Sequence, residues 1–255
     1  MGAHQHIIAV TNQKGGVGKT TTAVNVAAQL ATPKRRVVLV DLDPQGNATS
    51  SLGIDKERLD STLYDVLISS TDVANIVLPT NIPNLFLLPA NAQLAQAEVD
   101  LVPLQRREFR LAEVLKAVEA EVVLVDCPPA LGLLTINALT AANQVLIPVQ
   151  SEYFALEGLG QLLQTVQAVK QSLNPRLEIL GVVLTMFNKR MTLSEQVQAE
   201  VAQHFGDKLF KTIVPRNVRL AEAPSYGRTI FEHDKWSKGA RAYKNLAAEI
   251  SKRLG

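Results

Sequence analysis

The sequence predicts an α/β protein with a mostly parallel, twisted sheet and helices on both of its faces. Three observations predict this class. Short runs of Val, Leu and Ile recur along the chain and are apolar at every position, as strands buried on both faces are. Amphipathic segments of helical length separate these runs, which favours strand–helix alternation. A glycine-rich turn joins the first apolar run to the first amphipathic segment.

The elements follow in order along the chain. Strands are predicted at residues 7–10, 37–40, 85–88, 122–125, 145–149 and 179–185. Helices are predicted at 20–31, 109–119 and 155–171. No segment has the composition of a linker, a repeat or a low-complexity tract, so we expect one domain over residues 1–255.

Composition narrows the class of protein. Cys127 is the only cysteine, which excludes an internal disulfide and suits a reducing cytosol. No stretch of about 18 apolar residues occurs, so we expect a cytoplasmic protein that does not span a membrane. Residues 1–185 hold 13 Lys and Arg against 17 Asp and Glu, whereas residues 186–255 hold 13 against 7. This asymmetry is compatible with a polyanionic partner or with an ordinary solvated surface.

The glycine-rich turn has the residues of a phosphate-binding loop. Gly15, Gly16 and Gly18 allow the backbone N–H groups to approach a polyphosphate closely, at the start of a helix whose N-terminus favours an anion. Lys19 is expected to reach the β- and γ-phosphates and Thr20 to bind Mg²⁺ through its hydroxyl. The sequence therefore predicts that ATP and Mg²⁺ bind here. The predicted nucleotide-binding segment is Lys14, Gly15, Gly16, Val17, Gly18, Lys19, Thr20 and Thr21.

The loop departs from the strict pattern GxxxxGK[ST]. Gln13 stands where the first glycine of that pattern belongs, and Lys14 follows it. Taken alone, the segment could be a glycine-rich turn with two lysines. The strand before it and the helix after it favour the phosphate loop.

Three aspartates follow predicted strands at the edge where open α/β sheets form their sites. Asp126 is predicted to hold Mg²⁺ through water, and Asp41 to orient the water shell of the metal. Asp43 lies in a turn marked by Pro44 and Gly46, where a carboxylate can orient and deprotonate an attacking water. Asp41 and Asp126 could each also be an ordinary strand-end or turn residue.

Five segments together resemble the ParA/Soj ATPases, which partition bacterial chromosomes and plasmids. That family belongs to the deviant Walker A class of P-loop proteins. The resemblance therefore implies a P-loop fold, slow ATP hydrolysis and a nucleoid-associated location. The matching segments are 11–22 (TNQKGGVGKTTT), 40–49 (VDLDPQGNAT), 123–129 (VLVDCPP), 185–188 (TMFN) and 214–227 (VPRNVRLAEAPSYG).

The resemblance implies roles that the residues alone do not. Lys14 is similar to the signature lysine that crosses to the partner subunit's phosphates, which implies a homodimer with ATP sandwiched between the subunits. Asp43 resembles the catalytic aspartate. The family binds double-stranded DNA without sequence preference as this dimer, and a ParB-type (Spo0J-like) protein stimulates it. The segments that resemble the adenine-recognition elements are Asn188, Pro215, Arg216 and Asn217.

The basic excess near the C-terminus then becomes a predicted DNA-binding surface. Phosphate contacts by Lys and Arg would give sequence-independent, salt-sensitive binding. Trp236, by contrast, is interpreted as a packing anchor. The predicted DNA contacts are Lys189, Arg190, Arg216, Arg219, Lys238 and Arg241, which Lys235 and Lys244 could extend.

Two other functions stay open at this point. A membrane-positioning ATPase like MinD would end in an amphipathic helix, and residues 247–255 offer only Ile250 and Leu254 as a small apolar face. A metabolic or redox enzyme on the same scaffold would need two cysteines per subunit for a bridging cluster, or an acceptor pocket. No motif in the sequence indicates such a pocket.

Overall fold

The computed structural model describes residues 5–69, 71–152 and 157–255. Within these residues all seven strands belong to one sheet, in the order β3-β4-β2-β5-β1-β6-β7. Every pairing is parallel except that of the short edge strand β3 with β4. The strands are β1 (His6–Val10), β2 (Val37–Asp41), β3 (Leu78–Pro79), β4 (Leu85–Leu88), β5 (Val122–Asp126), β6 (Gln144–Gln150) and β7 (Glu178–Thr185).

Helices connect and cover these strands. In chain order they are α1 (Lys19–Leu30), α2 (Asn47–Ser51), α3 (Leu63–Ser69), α4 (Ala97–Asp100), α5 (Arg110–Leu115), α6 (Leu133–Ala141), α7 (Glu157–Ser172), α8 (Thr192–Phe205), α9 (Val218–Glu222), α10 (Ile230–Asp234) and α11 (Lys238–Leu254). Short 3₁₀ turns lie at Lys56–Arg58, Val73–Asn75, Ala92–Gln96, Arg107–Phe109, Gly206–Lys208 and Ala223–Tyr226.

The two faces of the sheet carry separate apolar cores. Along β2, Val38 and Val40 pack into one core and Val37 and Leu39 into the other, as the alternation of side chains in a strand requires. Helices α3 to α8 contribute to the first core, and α1 and α11 to the second. The predicted class, a mostly parallel sheet covered on both faces, is therefore confirmed. That residues 1–255 form one domain stays a prediction, which the single sheet supports.

The predicted strands agree with the observed ones to within one residue at each end. The helix predicted at 109–119 is shorter than expected, because α5 stops at Leu115. The amides of Ala117 and Val118 bond to carbonyls three residues back, which tightens the chain into a turn before β5. The helix predicted at 155–171 is observed as α7, and its first two predicted positions lie outside the described residues.

Candidate functional site

The phosphate loop lies between β1 and α1, at the carboxyl edge of the sheet. Gly16 and Gly18 have φ angles of 73° and 88°, which residues with a Cβ rarely adopt. A Cβ placed on Gly15 or Gly16 would meet no heavy atom within 4 Å, so there is open space beside both glycines. The backbone thus leaves room for an anion where the sequence predicts the polyphosphate.

Two side chains outside the glycine pattern hold this loop in shape. Asn12 donates from Nδ2 to the Pro148 carbonyl at 2.7 Å and accepts at Oδ1 from the Lys14 amide at 3.0 Å. Thr185, at the end of β7, donates to the Val17 carbonyl at 2.8 Å. Neither role was predicted from the sequence. The only signal for Asn12 is its polar side chain two residues after the end of an apolar strand.

Lys19 lies at the base of the loop and is only 7% exposed. Its Nζ donates to the Lys14 carbonyl at 3.1 Å. Burial lowers the pKa of Lys19, and the nearby Asp126, Cys127 and Asp43 act in the opposite direction. The ammonium group therefore lies within electrostatic reach of the carboxylates that the sequence predicts as metal and catalytic residues.

Asp41 and Asp126 are direct neighbours, since they are paired residues at the ends of β2 and β5. Both are fully buried. Asp41 Oδ2 accepts from the amide and the hydroxyl of Thr49, each at 2.7 Å, and its Oδ1 accepts from the Asp43 amide at 3.3 Å. These bonds tie the end of β2 to α2 and to the turn that carries Asp43.

Asp126, unlike Asp41, lacks well-placed hydrogen-bond donors for its carboxylate among the described residues. Neither of its carboxylate oxygens makes a hydrogen bond of ordinary geometry with the described residues. Burial first, and then the Asp41 charge, raise the pKa of Asp126 well above its usual range, while the Thr20 hydroxyl opposes the rise. A buried carboxylate without donors is costly unless a cation or a proton balances it.

The site therefore fits Mg²⁺ held together with a nucleotide. Asp126 and Thr20 offer hard oxygen atoms, and Mg²⁺ usually takes only one or two protein ligands beside water and phosphate. Among the described residues no group of three or more His, Cys, Asp and Glu forms a complete metal cage. Thr20, Asp126 and the phosphates of the substrate would hold the ion. Asp41 is the neighbour of Asp126 on the adjacent strand, and its predicted role of orienting the water shell of the metal stays a prediction.

We expect Asp126→Asn to stabilise the nucleotide-free protein at neutral pH. A carboxyl whose pKa is higher in the folded than in the unfolded state loses stability as pH rises, because the folded state binds more protons. Burial raises the pKa of Asp41 to about 6, and that of Asp126 rises as well. The free energy of unfolding of the parent should thus fall as pH rises from about 4 through 6 and beyond.

Urea unfolding of parent and Asp126→Asn at several pH values measures this effect. The variant should gain about 1–3 kcal/mol at pH 7 and show a flatter pH profile. Asp60→Asn, at an exposed position, is the control and should change neither quantity. Equal pH profiles for Asp126→Asn and the parent would contradict the assignment of an uncompensated charge to Asp126.

Asp43 lies in the turn after β2 and is 8% exposed. Its Oδ1 accepts from the Gln45 amide at 2.9 Å, and the Gly46 amide bonds to the Asp43 carbonyl at 2.9 Å. Gly46 has a φ of 61°, and a Cβ there would lie 2.8 Å from the Ala90 carbonyl oxygen. The turn therefore holds Asp43 firmly on the side of Lys19 and Asp126.

A pocket of about 360 Å³ adjoins the loop and is lined by Thr21, Pro215, Arg216 and Asn217. The Asn217 Oδ1 is buried and makes no hydrogen bond with the described residues. Such an acceptor suits the amino group of a purine base. Further walls, which the sequence did not indicate, are Met186, Val214, Leu220 and Tyr243.

A second concavity, of about 1140 Å³, is here called the basic groove. Five of the predicted DNA contacts line it, together with Lys211, whereas Arg219 does not. Arg219 instead pairs with Glu222 at 2.8 Å and with Asp234 at 3.8 Å. Asn188 also lines the groove rather than the pocket, so its role in binding the base stays a prediction. The predicted contacts in the groove are Lys189, Arg190, Arg216, Lys238 and Arg241.

Lys14 lies at the rim of the phosphate loop with about a third of its side chain exposed. Its Nζ pairs with Glu152 Oε2 at 3.3 Å, and Arg216 reaches Glu152 Oε1 at 3.8 Å. Glu152 has no predicted role, because its position 138 residues from Lys14 gives no local signal. The arrangement leaves Lys14 facing outward rather than into its own loop.

The fold and this site define a P-loop ATPase of the deviant Walker A class. A family model described as AAA domain matches residues 5–179. The sporulation initiation inhibitor protein Soj of Bacillus subtilis is 55% identical over 247 residues, 96% of this chain and 98% of that protein. The chromosome partitioning protein ParA of Caulobacter vibrioides is 49% identical over 251 residues, 97% of this chain and 94% of that protein. This chain belongs to the ParA/Soj family of chromosome-partitioning ATPases.

A solved structure agrees with the fold over nearly the full length. It is the cobyrinic acid a,c-diamide synthase from Mycobacterium smegmatis with bound ADP and magnesium, at 38% identity and a TM-score of 0.86. The match covers 98% of this chain and 96% of that one. A nucleotide and magnesium thus bind to a protein of the same fold.

Proposed function

We propose that this chain is a nucleotide-gated DNA-segregation protein. It binds ATP and Mg²⁺, forms a homodimer around the two nucleotides, and then binds DNA without sequence preference. A ParB-type partner accelerates its slow hydrolysis of ATP, and the DNA-bound form lies on the nucleoid in the cytoplasm. The observation that carries the proposal is the outward position of Lys14 at the rim of an otherwise complete phosphate loop.

The residues divide the work of ATP hydrolysis among them. The loop amides and Lys19 bind and orient the phosphates, while Thr21, Pro215, Arg216 and Asn217 enclose the rest of the nucleotide. Asp43 orients a water and accepts its proton. Mg²⁺, when bound at Thr20 and Asp126, would neutralise charge that develops on the phosphate oxygens. Lys14 of the partner subunit would add a positive charge to the same phosphates.

DNA binding follows from the charge of the basic groove. Its Lys and Arg side chains suit the phosphate backbone, and no base-reading motif accompanies them. Pro215, Arg216 and Val218 line both the groove and the base pocket. The two sites thus share a wall, which supports a link between nucleotide occupancy and DNA binding.

The membrane-positioning alternative finds less support in the C-terminal helix. Ile250 is fully buried, and Arg253 stacks 4.0 Å from the Phe210 ring while donating at 2.7 Å to the Leu180 carbonyl. The apolar face of α11 is therefore occupied by the protein itself. Over the described residues no helix combines the length and the apolar character needed to cross a bilayer. Co-sedimentation with anionic liposomes in ATP separates the two functions, and we expect no binding.

The experiment that tests the proposal is an ATPase assay with and without duplex DNA and a centromere-binding ParB-type partner. We expect slow turnover by the chain alone, without any small acceptor substrate, and clear acceleration when both additions are present. A synthase on this fold would turn over ATP only with its acceptor. Acceleration by neither DNA nor partner would contradict the partitioning mechanism.

Lys14→Gln is expected to retain ATP binding and to lose ATP-dependent dimerisation. The Lys14–Glu152 pair is partly exposed, with 34% and 47% of the two side chains accessible, so its loss costs little stability. Size-exclusion chromatography with light scattering in ATP measures the dimer. Glu152→Gln is the matched control, since it breaks the same pair but keeps the lysine, and it should still dimerise. A dimer of parental strength for Lys14→Gln would remove Lys14 from this role.

A further inference from the structure

Trp236 has no role in the site described above, and its surroundings differ from those the sequence suggested. The interpretation as a packing anchor is wrong, because the side chain is 79% exposed. It is the most exposed of the large apolar side chains at the described surface. A single exposed apolar residue is common and by itself indicates nothing, so the neighbours decide its meaning.

The turn that carries Trp236 is well anchored. The Trp236 amide donates to Asp234 Oδ1 at 3.1 Å, and the Ser237 amide donates to the Asp234 carbonyl at 3.2 Å. Ser237 then caps α11 by accepting from the Ala240 amide at 3.0 Å. The indole therefore projects from a fixed backbone, so that a contact there would cost little ordering entropy.

The surroundings of the indole are basic. Lys235 Nζ lies 5.3 Å from the ring centre, and Lys238 and Arg241 on the next helix line the basic groove. Between Asp234 and Glu249 the sequence has four Lys and Arg and no acidic residue. Among the described residues none of Lys235, Lys238 and Arg241 forms an ion pair.

Two acidic residues close to the turn, Asp234 and Glu222, are already engaged by other side chains. Asp234 accepts from the Trp236 amide at one oxygen and lies 3.8 Å from Arg219 Nε at the other. Glu222 pairs with Arg219 at 2.8 Å and with His233 at 3.4 Å. These carboxylates compensate Arg219 and His233. On the groove side Arg216 reaches Glu152, and Glu249 accepts from the Lys211 and Thr212 amides. Lys235, Lys238 and Arg241, which lie nearest to Trp236 in sequence, keep their positive charges without a carboxylate partner among the described residues.

We propose that Trp236 contacts DNA directly, packing its indole against the deoxyribose beside the phosphates held by the basic groove. This proposal rests on the proposed DNA binding. Cations account for a polyanion, but they do not account for a large apolar ring held out among them. Burying the ring against the sugars removes apolar surface from water, so the contact adds affinity that does not depend on counterion release and reads no base sequence.

Intrinsic fluorescence tests the contact, because Trp236 is the only tryptophan in the chain. Mixed-sequence duplex DNA is titrated into the ATP-loaded full chain, while binding is followed separately by anisotropy of labelled DNA. We expect the emission to change along the same binding curve, and quenching by acrylamide to fall several-fold when DNA is saturating.

Affinity measurements at several salt concentrations give an independent readout. Trp236→Ala should weaken DNA binding by about tenfold at each concentration, with the slope of log K against log salt unchanged. Lys238→Ala should instead reduce that slope by about one. Trp236→Phe should recover part of the affinity, and Val102→Ala, at another exposed apolar position, should change nothing. Basal ATPase activity should be unaffected in Trp236→Ala.

Failure of the Trp236 contact and failure of the proposed DNA binding would give different results. If the parent binds DNA while the tryptophan stays fully quenchable and Trp236→Ala binds as tightly as the parent, this proposal is wrong and DNA binding stands. If the ATP-loaded parent does not bind DNA, the proposed function itself fails. If the emission shifts to shorter wavelength with anionic vesicles and not with DNA, the indole serves a membrane contact and this proposal is overturned.

Discussion

Lys19→Ala is expected to lose nearly all nucleotide binding. Lys19 is buried at the base of the phosphate loop, near Asp126 and Asp43, and no other described lysine or arginine donates to the loop carbonyl of Lys14. Removing one partner of a buried ionic contact costs about 3–5 kcal/mol, which corresponds to a loss of roughly 10²–10⁴ in affinity. Titration calorimetry with ATP and Mg²⁺ measures the loss.

The variant needs a control for charge and a check of the fold. Lys34→Ala removes an exposed lysine in the turn before β2 and should bind ATP like the parent. Thermal unfolding without nucleotide should show that Lys19→Ala folds. A tenfold change in affinity corresponds to about 1.4 kcal/mol. If Lys19→Ala binds ATP within about threefold of the parental affinity, Lys19 does not have the phosphate-binding role.

Asp43→Ala is expected to abolish hydrolysis while ATP still binds. A positioned general base contributes about 10²–10⁴ in rate, so turnover should fall by that factor. Asp43 also accepts a hydrogen bond from the Gln45 amide, so alanine removes both the carboxylate and a bond that shapes the turn. Single-turnover hydrolysis and a separate ATP-binding measurement distinguish the two steps.

Asp43→Asn separates the chemistry from the shape of the turn. The asparagine keeps an oxygen that can accept from the Gln45 amide, but it cannot take a proton from water. We expect it to be as inactive as the alanine variant. Turnover near the parental rate in Asp43→Asn would instead assign Asp43 a purely structural part in the turn.

Much of the fold could be predicted, because buried parallel strands are recognisable in the sequence as continuous apolar runs. Both faces of β2 and β5 are covered, so nothing polar interrupts either strand before Asp41 or Asp126. The phosphate loop was predictable for a similar reason, since its glycines are required by the local backbone conformation, in which Gly16 and Gly18 have positive φ angles. The end of α5 was not, because the tightened turn at Ala117 and Val118 has no residue that enforces it.

The parts of the site that escaped prediction depend on contacts between distant segments. Glu152 meets Lys14 and Arg216 only after the sheet has formed. Arg219 pairs with Glu222 three residues along the same helix, and its second carboxylate partner, Asp234, is on a different helix. The interpretation of Trp236 as a packing anchor rests on its residue type alone, whereas the structure places its side chain outside the core on a turn held by the Asp234 and Ser237 bonds.

The proposed function requires that DNA binding depends on ATP and not on bound nucleotide in general. The most direct test measures binding of one labelled, mixed-sequence duplex by the same protein sample in ATP and in ADP, each with Mg²⁺, over a series of salt concentrations. We expect binding in ATP that falls steeply with salt, and only weak binding in ADP. Equal affinity in the two nucleotides would contradict the proposed dependence of DNA binding on ATP.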